Sequence, residues 1–356
     1  MDTFESLQFV RERGIYEISK SFVDPIKKVF VPCLNVKDEK VLIIGDVGIE
    51  NHQISPILAA AYYEAANELN LNVKLVLQEV KTRGSVADLD VIQSLETLQE
   101  KNIVVMCCSD KLGSIGTLGK SLRKYCIKKK LRFFSSMSLG DLSNDSVGYV
   151  VDAIDIDYKP LQMRQKVVKD ILDNGNLVVI KTKAGTDLSI DISGMTAISA
   201  DGNYSIDGSG GNMPAGEVYI PPNGKGVNGK VVIDGSSRNH KHTSIIINPI
   251  TLTIKEGSIE SIEGKEEAEL LRETIKWAQG LSKHPGSLKR ICEFGIGMNP
   301  KAKIIGSTLV DEKSLGTAHI GIGSNYWFGG SIYSILHLDQ VFKDPEIYVD
   351  GKKLVI

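Results

Sequence analysis

Short apolar runs alternate with longer amphipathic stretches through the first 158 residues. KVLIIGDV (residues 40–47) is apolar and ends in a turn, which predicts a buried strand. NVKLVL (72–77) and IVVMCC (103–108) have the same character. Between them, residues 56–69, rich in alanine and glutamate, predict a helix, and residues 118–130 predict another. Strands alternating with helices imply a parallel sheet with right-handed crossovers. The expected N-terminal domain, residues 1–158, is therefore α/β with a mostly parallel sheet.

A helix over residues 159–174 leads into a different texture. LVVIKT, DLSIDISG, GKVVIDG, TSIIINP and TLTIKEGSIESIEG are short β-branched runs divided by Gly or Asn-Pro turns. Residues 266–281 predict the one long helix of this half. The expected C-terminal domain, residues 159–356, is α+β, glycine-rich and catalytic. No internal repeat and no low-complexity tract interrupts either half.

The length of 356 residues agrees with two domains. A formal net charge of −2 gives no pull towards nucleic acid or an anionic membrane. No run of eighteen apolar residues is present, so no membrane partner is expected. MDTFESLQFVRERG lacks the apolar core of a secretory signal. The five cysteines, Cys33, Cys107, Cys108, Cys126 and Cys292, show no CxxC spacing. They read as free thiols in a reducing, cytoplasmic setting, with Cys107 and Cys108 in the core.

Several suggestive stretches carry no chemistry. GSIGTLGKS (113–121) has the wrong glycine spacing for a phosphate-binding P-loop. KYCIKKKLR (124–132) reads as a solvated basic face at a helix C-terminus. DGSGG (207–211) reads as a turn. The chain has no HExxH zinc motif and no GxSxG elbow. His240 and His242 read as exposed, His284 as a charge after a helix, and His52 as a loop residue without a role.

Three segments remain. GGNMPAGEVYIPP holds Glu217, CEFGIGMNP holds Glu293, and GTAHIGIGSNYWFGGSIYSILHLDQVF holds His319, His337 and Asp339. In an extended strand residues i and i+2 face the same way, so His337 and Asp339 present an imidazole and a carboxylate to one site. Glycines in EFGIG and HIGIG permit close approach of backbone or ligand. A glutamate in an apolar strand is costly unless paired with a cation. Two imidazoles with several carboxylates suit zinc, manganese, cobalt or iron(II). Having more carboxylates than one ion needs suggests two ions bridging a hydroxide.

In order along the chain, NMPAGEVYIPP, EFGIGMNP, TLVDEKSLGTAHIGIGSNY and HLDQVF resemble the motifs of the aminopeptidase T family of metallopeptidases. The resemblance covers residues 184–342. It implies a dinuclear centre held by Glu217, Glu293, His319, Tyr326, His337 and Asp339, Tyr326 entering seven residues after His319. It implies removal of the N-terminal residue of a peptide by a two-metal-activated hydroxide, the ions being zinc, cobalt or manganese. Glu293 and Tyr326 would serve the chemistry, Glu293 as proton shuttle and Tyr326 as metal ligand or oxyanion donor. The resemblance also implies a homodimer. The loop between His319 and His337 is shorter than in those peptidases. A related branch of similar length contains 2,5-dihydroxypyridine ring-cleaving dioxygenases with a single iron(II). The alternative is therefore a mononuclear iron(II) dioxygenase acting on a small hydroxylated aromatic.

Overall fold

The computed structural model describes residues 1–356, and the chain divides into two units. The first comprises Met1–Lys159 together with Gly202–Ala215, and the second Pro160–Asp201 together with Gly216–Ile356. A single cut at residue 158 does not anticipate that return of the chain.

In the first unit Val41–Asp46, Val73–Gln78 and Ile103–Cys107 form where the apolar runs predict strands. They join Arg132–Ser136 and Gly210–Asn212 in a five-stranded sheet whose pairings are all parallel. Val41–Asp46 and Ile103–Cys107 are buried throughout, as strands covered on both faces must be. The alanine-rich helix Ile54–Glu68 buries residues all round its circumference. Asp2 opens the first helix, Thr3–Glu12, with a reciprocal capping box: its carboxylate accepts from the Glu5 amide, and Glu5 accepts from the Asp2 amide.

Three local expectations are corrected here. The helix predicted over 118–130 begins only at Leu122, because Gly119 at φ 131° ends a preceding 3-10 turn. The basic run is not wholly solvated. Arg132 is buried and donates to the carbonyls of Leu34 and Asn35 and to the Glu39 carboxylate. DGSGG is not merely a turn, since its last glycines form the edge strand against Phe133–Ser135. A Cβ on Gly210 would stand 2.4 Å from the Phe133 carbonyl oxygen, so only glycine fits that approach. All five cysteines are free, and burial extends beyond the expected Cys107 and Cys108 to Cys33, Cys126 and Cys292.

The second unit is built on two seven-stranded antiparallel sheets. One contains Leu177–Lys181, Asp187–Asp191, Val227–Ile233, Ile250–Lys255 and Ser258–Glu263. The other places Glu217–Ile220, Ile291–Gly297, Thr317–Gly323 and His337–Lys343 side by side. The predicted long helix is Glu266–Gln279. No helix is long and apolar enough to cross a membrane.

Candidate metal centre

The four adjacent strands alternate by the period of a pleated chain. Phe294 and Ile296, Ile320 and Ile322, and Leu338 and Phe342 occupy one set of positions and are buried apolar side chains. Glu217, Glu293, His319, His337 and Asp339 occupy the other set. Register aligns them. Glu293 pairs with Gly321, and Gly321 with Asp339 on its other side. Gly295 pairs with His319, Gly297 with Glu217, and Gly323 with His337. Every one of these five side chains therefore lies opposite a glycine. A Cβ on Gly295 would meet the His319 ring at 2.2 Å, and one on Gly321 would meet Glu293 Cβ at 2.8 Å. A register shift between Ile291 and Glu293 marks a bulge that re-aims the Glu293 side chain.

Glu293 links the two imidazoles. Its Oε1 is 3.2 Å from His319 Nε2 and its Oε2 is 3.5 Å from His337 Nε2. His337 Nε2 is also 3.3 Å from Asp339 Oδ1, and His319 Nε2 is 3.7 Å from Glu217 Oε2. The candidate ligand atoms fall into three overlapping groups, each within 4.8 Å: Glu217, Glu293 and His319; Glu293, His337 and Asp339; Glu312, His319 and Asp339.

Tyr326 lies on the turn that follows the His319 strand. It begins the turn Tyr326–Phe328, is 47% exposed, and stacks on Tyr333 at 4.5 Å between ring centroids. The other histidines lie elsewhere. His240, read as exposed, is half-buried, stacks on Trp277 at 5.3 Å and bonds Thr274 through Nδ1.

Sequence reasoning missed Glu312 and Lys313, which directly follow the short helix Thr308–Asp311. Lys313 has no exposed surface, and its Nζ is 3.2 Å from Glu217 Oε1 and in contact with Glu312 Oε1. Their signal was visible as three consecutive charges, Asp311-Glu312-Lys313, just before an apolar strand.

The electrostatics identify what the cluster wants. Four carboxylates share a dry space with one ammonium. Burial pushes the Glu312 carboxyl up to about 8, with the Glu217 charge adding to it. Burial would lower His319, yet Glu293, Glu217 and Asp339 overcome it and raise the imidazole to about 9. His337 is raised in the same way, chiefly by Asp339 against the effect of burial. Burial opposes ionisation of Asp339, but His337 outweighs it and holds the carboxyl below its usual range. With no ion bound, protons on the imidazoles and on Glu312 hold the carboxylates together, and a metal cation can take the place of those protons.

A divalent transition-metal ion fits that demand. His337 Nδ1 lies 2.9 Å from the Ser324 carbonyl oxygen, to which it can only donate, leaving the Nε2 lone pair for the cluster in a neutral ring. That lone pair and two carboxylate oxygens then face one another across 3.3–3.5 Å, an arrangement a shared cation resolves. Asp339 Oδ1 and His319 Nδ1 are buried without hydrogen-bond partners.

Fold and sequence together place the chain in the aminopeptidase T/NicX superfamily. The family model described as NicX: 2,5-dihydroxypyridine 5,6-dioxygenase matches residues 157–356, and the chain belongs to that family. It is 25% identical over 202 residues to the 2,5-dihydroxypyridine 5,6-dioxygenase of Pseudomonas putida, covering 54% of this chain and 56% of that protein. It is 26% identical over 184 residues to aminopeptidase AmpS of Bacillus subtilis, covering 47% of this chain and 43% of that protein. The chain thus spans about half the length of the curated relatives it matches. The solved structure of the Pseudomonas putida dioxygenase superposes with a TM-score of 0.72 at 20% identity, covering 95% of this chain and 96% of that one. Wild-type AmpT from Thermus thermophilus superposes with a TM-score of 0.60 at 14% identity, covering 94% and 96%.

Proposed function

We propose that the chain is an iron(II)-dependent dioxygenase that opens the ring of a hydroxylated pyridine or a similar small aromatic. The supporting observation is a pair of imidazoles with carboxylates beside an aromatic wall. The Trp327 ring centroid is 5.0 Å from that of His337, and Phe328 is 6.1 Å from it. Phe328 in turn meets Tyr219 at 5.3 Å. The His337 side chain is 25% exposed while the other candidate ligands are buried, so the cluster opens at the aromatic side. A flat ring can stack there, and a peptide chain gains less from such a wall.

His319, His337, Glu293 and Asp339 would hold the ion, a set close to the two-histidine, one-carboxylate arrangement of non-haem iron oxygenases. Iron(II) bound there supplies the redox chemistry that lets dioxygen react with a closed-shell ring. The protein does the rest. The Ser324 carbonyl fixes the His337 tautomer, Glu293 spaces the two imidazoles, and Trp327 and Phe328 orient the ring and exclude water. The family match and the Pseudomonas putida relative support this reading over the two-metal aminopeptidase. The extra carboxylates Glu217 and Glu312 and the likeness to AmpS favour the peptidase as second reading.

The test is oxygen uptake by protein reconstituted anaerobically with iron(II), with 2,5-dihydroxypyridine as first substrate. Uptake that disappears in His337→Ala and Asp339→Ala supports the proposal. Hydrolysis of aminoacyl anilides by the zinc, cobalt or manganese form, with no oxygen uptake from the iron form, overturns it.

A further inference from the structure

Lys313 is an unusual companion for a metal site. An ammonium is strongly hydrated in water, and here it has no exposed surface at all. Its contacts are the carboxylates of Glu217 and Glu312. Each belongs to a different group of candidate metal ligands, Glu217 with Glu293 and His319, and Glu312 with His319 and Asp339. Both groups share His319, which the first ion would hold, so a second ion would need the Glu217 and Glu312 carboxylates that the ammonium occupies. The remaining group, Glu293 with His337 and Asp339, contains neither of the carboxylates bound by Lys313.

Local structure holds the ammonium in place. The backbone of Lys313 and Ser314 passes directly over Gly297, where a Cβ would stand 2.2 Å from the Ser314 carbonyl oxygen. The Asn299 amide donates to the Lys313 carbonyl at 2.8 Å, tying that segment to the end of the Glu293 strand. A buried ion pair contributes little to stability compared with a well-packed apolar residue, so stability alone is a weak reason for a lysine here.

We propose that the Lys313 ammonium is a built-in second cation. It closes the Glu217–Glu312 carboxylate pair to metal, so the site takes one divalent ion, and removing the ammonium converts the same side chains into a two-ion centre. The inference rests on the one-ion reading above and deepens it, because it assigns the choice between one ion and two to a single side chain of this chain.

The experiment is metal content per chain by plasma mass spectrometry after equilibrium dialysis against manganese(II) or zinc(II). Wild type is expected to hold about one ion and Lys313→Met about two, with Glu217→Gln/Lys313→Met returning to about one. The midpoint of thermal unfolding of Lys313→Met should rise more with added manganese(II) than that of wild type. If Lys313→Met does not fold in chelator, excess manganese(II) during refolding is expected to rescue it, and no rescue overturns the proposal. One ion in both wild type and Lys313→Met overturns the assignment to Lys313 and leaves the one-ion reading standing. Two ions, or none, in wild type overturns the one-ion reading beneath it.

Discussion

Alanine at Gly295 would place a methyl carbon 2.2 Å from both Cε1 and Nε2 of His319. An ordinary carbon contact is about 3.5–4.0 Å, so strand or ring must retreat by more than ~1 Å. Neither has room to do so. Gly295 pairs with Tyr219 on one side and His319 on the other, and the imidazole is fully buried with Nε2 3.2 Å from Glu293. Overpacking of this kind costs about 1–3 kcal/mol. Loss of a buried bond to a charged partner adds roughly 1.5–3 kcal/mol. The Gly295→Ala protein should therefore be destabilised by about 2.5–6 kcal/mol in urea unfolding without metal. Losing only a partner that supports a metal ligand weakens an ion about 10–100-fold, so displacing His319 itself should cost at least ~100-fold in iron(II) affinity. Anaerobic competition against a chromophoric chelator reads that affinity directly. A Gly295→Ala protein within about 0.5 kcal/mol of wild type, with unchanged iron(II) affinity, would refute the packing of His319 against Gly295.

Gly148 lies in the helix Val147–Ile154 with nothing within 4 Å of a built Cβ, so Gly148→Ala should stabilise by ~0.5–1 kcal/mol in the same urea assay. Arg132→Ala strips donors from the Leu34 and Asn35 carbonyls and leaves Glu39 without its partner, so it should cost about 3–5 kcal/mol. Burial alone would raise Glu39, but the amides of Lys37 and Glu39 and the Arg132 guanidinium outweigh it and lower its carboxyl. That contribution is present above the unfolded value of about 4.3 and is lost as pH falls through the lower native value. Glu39→Gln should flatten the acid limb of stability against pH between roughly pH 5 and 3, and an unchanged limb would count against the pairing. Trp327→Ala should raise KM for 2,5-dihydroxypyridine about tenfold with kcat nearly unchanged, and a fall confined to kcat would exclude stacking as its role.

The strands of the first unit were legible because burial on both faces writes a continuous apolar run, as in VLIIGD and IVVMC. The candidate site was legible for a related reason. A strand that buries one face against apolar neighbours and turns the other to a charged cluster must alternate, and EFGIG and HIGIG alternate between those demands. The glycines, read as room for a ligand, prove at Gly295 and Gly321 to be room for the His319 and Glu293 side chains, and at Gly297 and Gly323 room for the backbone of Ser314 and Leu336. Glu312 and Lys313 were not legible in that way. They lie on a segment without periodicity, and a Glu-Lys pair at a helix end ordinarily belongs to the surface. Tyr326 came from a motif resemblance alone, and nothing in the pattern of SNYWFGG foretells its stacking on Tyr333. The edge strand Gly210–Asn212 was hidden because GGN has almost no strand propensity. Its place is set by backbone pairing and by the absence of a Cβ at Gly210.

That edge strand also bears on how the protein is made. The sheet of the first unit is not finished when residue 159 has been synthesised, because its fifth strand is still about fifty residues away. Until Gly210–Asn212 emerges, the hydrogen-bonding edge of Arg132–Ser136 stands open, and open edges recruit other chains. A truncation after residue 158 would keep that edge bare permanently, and is expected to self-associate. Within the first unit, Arg132–Ser136 is the strand whose edge waits longest for its partner.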